Sequence, residues 1–132
     1  MTGLSGWGHV TLTVRDADRS VAWYCEVLGF VVAATETTPQ WRRTLCRHSS
    51  SGMVLVLQQH FPASVGPFDE RRVGLDHLAF RVDTHQELLA WQQRLEMLEV
   101  DFTPIADTGR AGLALTFRDP DGIALELFHR SA

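Results

Sequence analysis

Two histidines and one glutamate carry the most chemical information in this chain. The segment Gly6-Trp7-Gly8-His9-Val10-Thr11-Leu12-Thr13-Val14 can be laid over Gly74-Leu75-Asp76-His77-Leu78-Ala79-Phe80-Arg81-Val82 without a gap, at an offset of 68 residues. His9 and His77 therefore hold equivalent positions in an internal repeat. In both copies an apolar set (Val10, Leu12, Val14 and Leu78, Phe80, Val82) alternates with the histidine and the residues that share its parity. That is the period of a strand with two unlike faces. Glu126 stands in a similar alternation, against Ile123, Leu125 and Leu127, so its carboxylate points away from the apolar face. If the two halves of the repeat share a cleft, two imidazoles and one carboxylate converge there. Such a set grips a divalent ion on one side and leaves its other positions to water or substrate oxygens. His48, His60 and His85 fall in expected turns or loops and His129 has the opposite parity to Glu126, so none of these joins the set.

The elements that must position these side chains repeat as well. After the first strand, Ala17, Val21, Tyr24, Cys25 and Leu28 follow Asp16 at helical spacing, and Gly29 ends the run. After the second, Leu88, Trp91, Leu95 and Leu98 form the stripe, and Thr84 with Glu87 has the spacing of a capping box. Three strands are expected after each helix: Phe30 to Ala34, Trp41 to Arg47 and Met53 to Gln58, then Val100 to Ile105, Leu113 to Phe117 and Ile123 to Phe128. Turn signals separate them at Ser49-Ser50-Ser51-Gly52, Asp107-Thr108-Gly109-Arg110 and Asp119-Pro120-Asp121-Gly122. The chain thus reads as an α+β fold of two βαβββ modules. Module one is expected over residues 1–58 and module two over residues 74–132, with a linker or lid over residues 59–73 that contains Pro62, Gly66 and Pro67.

Composition narrows the partners. With 132 residues and 45% hydrophobic content, a buried core is attainable without staples. The net charge of −4 comes with interspersed signs and no Lys/Arg block, which argues against nucleic acid and anionic lipid. Apolar runs such as Met53 to Leu57 are far too short to span a bilayer, and the N-terminus lacks the pattern of a secretory signal, so a cytoplasmic location is expected. Cys25 and Cys46 have neither the spacing of a redox motif nor the density of a disulfide scaffold, and read as reduced residues.

Four phrases go further: Gly8 to Asp16, Asp18-Arg19-Ser20-Val21-Ala22-Trp23-Tyr24-Cys25-Glu26-Val27-Leu28-Gly29-Phe30, Asp76 to Phe80, and Asp119 to Leu127. They resemble the signatures of the glyoxalase, bleomycin-resistance and extradiol-dioxygenase superfamily, also called vicinal oxygen chelate, over nearly the whole chain. The resemblance implies modules forming incomplete, mixed-sheet barrels, a homodimer, and one divalent metal ion held at the positions of His9, His77 and Glu126. Iron, manganese, zinc, nickel and cobalt all stay open. It also implies that His9 can come from one chain and His77 with Glu126 from another. Within the superfamily the chain departs from the named subfamilies. Val56 stands where glyoxalase I members resemble one another in a fourth, carboxylate ligand. The only tyrosine, Tyr24, is on the core face of the first helix rather than beside a metal, and the phosphonate-binding cluster of fosfomycin-resistance enzymes has no obvious counterpart.

These readings imply a metal-dependent enzyme acting on a small molecule that chelates the ion through vicinal oxygens, by lyase, isomerase, thiol-transfer or dioxygenase chemistry. Glu126 is the candidate catalytic residue, as a proton carrier, and Thr11, Gln58, Arg81 and Arg118 are polar candidates for substrate contact on the inner face. Trp41 adds a large apolar surface with one donor. The rival is a metal-free protein that sequesters a small molecule between subunits, as bleomycin-resistance relatives imply. Retention of all three ligand-type residues argues against the rival.

Overall fold

Hydrogen bonding and burial turn each half of the repeat into a sheet with one helix on its apolar face. The computed structural model describes residues 1–63, 66–109 and 112–130. Arg110 of one expected turn, residues 64 and 65 of the expected linker, and residues 131–132 lie outside that description. The chain divides into two compact units, Met1–Gly66 and Pro67–Ala132. The first contains β1 (Val10–Thr13), α1 (Ala17–Leu28), β2 (Phe30–Thr37), β3 (Trp41–His48) and β4 (Val54–His60). The second contains β5 (Leu78–Arg81), α2 (His85–Met97), β6 (Phe102–Asp107), β7 (Gly112–Arg118) and β8 (Ala124–Arg130). The sheets are ordered β1-β4-β3-β2 and β5-β8-β7-β6. In each, the first strand lies parallel to the last and the other pairs are antiparallel. Each unit is therefore a βαβββ module with an open, mixed sheet. Among the described residues no helix is long and apolar enough to cross a membrane.

The helices form where the sequence supplies their ends. The Asp16 carboxylate accepts from the Arg19 amide at 3.1 Å, and Gly29 closes α1 in the left-handed region at φ 81, where a side chain would be strained. On α2, Thr84 Oγ1 accepts from the Glu87 amide at 3.0 Å, while Glu87 Oε2 accepts from Asp83 N–H at 3.2 Å. The buried stripe of α1 is Ala17, Ser20, Tyr24, Val27 and Leu28, with Val21 and Cys25 only half-buried. The expected stripe is turned slightly toward Ser20. Opposite it, Leu12, Val14, Cys46, Leu55 and Leu57 are buried, and in the second unit Phe80, Val82, Leu115, Phe117, Leu125 and Leu127 lie with Leu88 and Leu95 among the buried residues. Each such side chain contributes about 2 kcal/mol by leaving water. Burial of this set fixes which face of each strand remains for His9 and Glu126.

Strand limits differ from the sequence reading where tertiary pairing overrides local pattern. β2 runs on to Thr37 and β4 to His60, because the ladder with β3 continues through Thr37↔Arg42 and His60↔Trp41. β6 starts at Phe102 rather than Val100, whose amide instead donates to Leu95 O at 2.9 Å as the helix ends.

His48 lies on β3 rather than in a loop, and its Nε2 meets the Leu28 carbonyl at 2.8 Å. A carbonyl only accepts, so Nε2 carries the hydrogen and Nδ1 accepts from Ser50 Oγ at 2.8 Å. The ring also stands edge-on to Phe30, 5.1 Å between centroids. His48→Ala leaves a carbonyl at the buried end of α1 without this donor. The expected cost is about 1–2 kcal/mol, read as a lower urea midpoint at unchanged slope.

Candidate metal centre

In the second unit, the parallel ladder between β5 and β8 pairs Ala79 with Glu126. His77 stands two residues before Ala79, on the same side of the strand, so its imidazole reaches the glutamate. His77 Nε2 lies 3.5 Å from Glu126 Oε2, while Nδ1 lies 2.7 Å from Asp76 Oδ1. An ionised carboxylate only accepts, so the bond to Asp76 places a hydrogen on Nδ1, and in the neutral ring Nε2 then turns its lone pair to the glutamate. Two electron-rich atoms facing each other are mutually repulsive unless a cation lies between them. A metal bound at about 2.0–2.2 Å by each atom separates cis donors by roughly 3–3.5 Å. The donor chemistry of this pair therefore fits a divalent ion. The carboxylate behind the imidazole is the usual device for fixing tautomer and ring orientation at a metal. Glu126 is largely shielded, with 17% of its side chain exposed, whereas His77 is 45% exposed.

The first unit has the same scaffold with different donors. Its parallel ladder pairs Thr11 with Val56, the counterpart of Ala79 with Glu126. His9 is exposed just before β1, and Val56 stands where the second unit has its carboxylate. His9, Thr11, Val56 and Gln58 help to line a pocket of about 320 Å³, together with Glu36 and Arg43. Within each unit, no three described His, Cys, Asp or Glu side chains gather as a metal site.

Of the remaining expected contacts, Trp41 is half-buried on β3 and stacks beneath the Arg43 guanidinium, whose Cζ is 4.1 Å from the ring centroid. Arg81 is 80% exposed, with Asp83 at 3.9 Å. Arg118 is engaged by Glu70 at 2.6 Å and by the Gly122 carbonyl at 2.8 Å. The Arg118 guanidinium holds the Glu70 carboxyl down to about 2. This ion pair is complete above the ordinary carboxylate range and is lost as pH falls toward 2.

The sequence reading assigned no role to Asp76, Glu36 or Arg43. A cue existed for Asp76, which adjoins His77, whereas the pairing of Glu36 with Arg43 emerges only from the hairpin that turns at Thr38 to Gln40. Cys25 and Cys46 are free thiols hydrogen-bonded to each other, and burial pushes Cys46 up to about 11. Burial also raises Cys25. Neither is poised as a thiolate nucleophile at neutral pH.

Comparison with known proteins agrees with this architecture. Residues 6–127 match the family described as Glyoxalase/Bleomycin resistance protein/Dioxygenase superfamily. The chain belongs to this superfamily. A crystal structure of a glyoxylase/bleomycin resistance protein/dioxygenase domain from Frankia sp. EAN1pec is 36% identical, with a TM-score of 0.89 over 98% of this chain and 100% of that one. The catechol-2,3-dioxygenase of Bacillus subtilis (strain 168) is 32% identical over 127 residues, 92% of this chain. This chain spans only 40% of that protein's length. A mutant of the fosfomycin resistance protein FosX from Listeria monocytogenes, complexed with Mn(II) and a dihydroxypropylphosphonic acid, shares the fold at 19% identity. Its TM-score is 0.74, over 98% of this chain and 95% of that one. The chain's relatives thus include a protein named for dioxygenase chemistry, and one of its fold neighbours was crystallised with manganese.

Proposed function

We propose that this protein is a divalent-metal-dependent enzyme acting on a small molecule that presents two vicinal oxygens. Its ligands are His77 and Glu126, with His9 supplied by the first unit of the same chain or of a partner chain. The observation that carries this reading is His77 Nε2 set 3.5 Å from Glu126 Oε2, with Asp76 bonded to Nδ1 behind the ring. The ion, which is iron, manganese, zinc, nickel or cobalt, supplies a Lewis-acid centre when bound. Asp76 holds the His77 ring through its Nδ1 hydrogen. Glu126 takes and returns the substrate proton at Oε1, the oxygen not facing His77, and its shielding from water favours such a role. Thr11 Oγ1 and the Gln58 amide offer hydrogen bonds to substrate, and Val56 keeps the pocket floor apolar. A homodimer in the cytoplasm, where both thiols stay reduced, is the setting this reading adopts.

The test is elemental analysis of protein purified without chelator or affinity-tag histidines, beside His9→Ala. The expected result is about one equivalent of a transition metal per chain, as a three-residue ligand set implies, and its loss in the variant. A folded wild type that stays metal-free after incubation with each of the candidate ions would overturn the proposal in favour of a sequestering protein.

A further inference from the structure

We infer that Arg43 is the anion-binding residue of the pocket in the first unit, and that the substrate carries a carboxylate besides its chelating oxygens. The inference rests on the proposed function only for the chelating end. Arg43 pairs in register with Gln58 on β4, and Gln58 with Thr13 on β1. The guanidinium therefore opens on the pocket that His9 and Thr11 also line. Among the described residues lining that pocket, it is the only Lys or Arg.

Three features make it a recognition group rather than a solvated charge. Trp41 lies two residues earlier on the same strand face and supports the guanidinium plane from below at 4.1 Å. A stacked arginine is pre-organised for a planar carboxylate, so little freedom is lost when one binds. Its charge partner among the described residues, Glu36 across the hairpin, reaches a single nitrogen at 3.0 Å, and the two side chains are 44% and 61% exposed. An exposed, single-bond pair of this kind is weak and readily exchanged for an incoming carboxylate that binds two nitrogens. Finally, Ala34, Leu45 and Val56 give the pocket an apolar floor for the carbon frame between its ends. The row of Arg43, Gln58 and Thr13 lies two residues along the strands from that of Leu45, Val56 and Thr11, a step of about 7 Å. That spacing sets the guanidinium at the Thr13 end of the pocket, away from Thr11 and Val56.

Calorimetric titration of metal-loaded protein with catechol and with 3,4-dihydroxybenzoate tests this, because both offer the same vicinal oxygens and only the second has a carboxylate. Wild type is expected to bind 3,4-dihydroxybenzoate about tenfold more tightly than catechol, the difference a charge-assisted pair supplies. Arg43→Ala erases that margin and leaves catechol binding unchanged, and Arg43→Lys restores part of it. Glu36→Gln tightens 3,4-dihydroxybenzoate about two- to threefold by removing the competing carboxylate. Equal affinity for the two compounds in wild type, or equal weakening of both by Arg43→Ala, overturns the inference while leaving the metal reading intact. If the protein takes up no metal, benzoate against benzyl alcohol reads the same margin on metal-free protein. A benzoate preference lost in Arg43→Ala then supports the anion site, and its absence overturns it.

Discussion

Glu126→Ala is expected to lower metal affinity by at least about 100-fold and to abolish activity, while leaving the metal-free protein as stable as wild type or slightly more so. The first part follows from the geometry. Glu126 is the carboxylate that the His77 lone pair faces, and a lone imidazole with water in its place is a poor site. Disturbing a group that merely orients a ligand already weakens binding by about 10–100-fold, and loss of a ligand exceeds that. Asp76→Ala supplies the calibration: it leaves both donors present and frees the ring to rotate, so its loss falls within that 10–100-fold range. The second part separates a metal site from a structural pair. In the metal-free protein with a neutral His77 ring, Oε2 faces a lone pair at 3.5 Å and gains nothing from it. Removing a repulsive contact stabilises, as binding groups held in conflict commonly do when truncated. Chelator-competition titrations give the first quantity and urea unfolding in EDTA the second. A metal-free variant destabilised by more than about 1 kcal/mol would mean that Glu126 makes an ordinary net-favourable hydrogen bond, and the metal reading would lose its main support.

The βαβββ order was legible because each element is specified locally. Asp16 and Gly29 bracket α1, Thr84 opens α2, and period-2 alternation marks β1, β5 and β8. The repeat also transferred register: aligning Gly52 with Gly122 sets Val56 against Glu126, and the ladders Thr11↔Val56 and Ala79↔Glu126 have that correspondence. What escaped the sequence was set by pairing between strands. Glu36 is of a type depleted in strands and Thr37 adjoins a turn; both are held by Arg43 and Arg42 across the hairpin, beyond a register shift between Val32 and Ala34. The same cause hid Arg43 and Glu36 as pocket residues. Arg118 looked available on parity alone, yet Glu70, from the stretch read as linker, engages it. A charge on an open face says nothing of which loop will meet it. His48 was invisible for a related reason, since the Leu28 carbonyl that it caps lies 20 positions away and is exposed as an orphan only when α1 ends.

Asp119→Ala is expected to be the most damaging single change outside the core, by about 2–4 kcal/mol. Asp119 is buried in the turn between β7 and β8, and its Oδ1 accepts from the amides of Asp121 and Ile123, each at 2.9 Å. The same turn closes through Gly122 N–H to Asp119 O at 2.9 Å, with Gly122 at φ 80. Truncation leaves two buried amides without their acceptor, at about 1–3 kcal/mol each before relaxation. Asp119→Asn keeps the accepting oxygen and loses only the charge, so roughly half that penalty is expected. The consequence reaches the metal centre because this turn delivers β8. Ile123 starts the alternation that buries Leu125 and Leu127 and turns Glu126 to the open face. A slip of one residue would bury the carboxylate and expose the leucines, which the packing resists. Asp119→Ala therefore loosens the position of Glu126 as well as the fold, and weaker metal binding should accompany the lower urea midpoint. A variant within about 0.5 kcal/mol of wild type, the range of ordinary surface changes, would show that packing of Leu125 and Leu127 alone sets the register of β8.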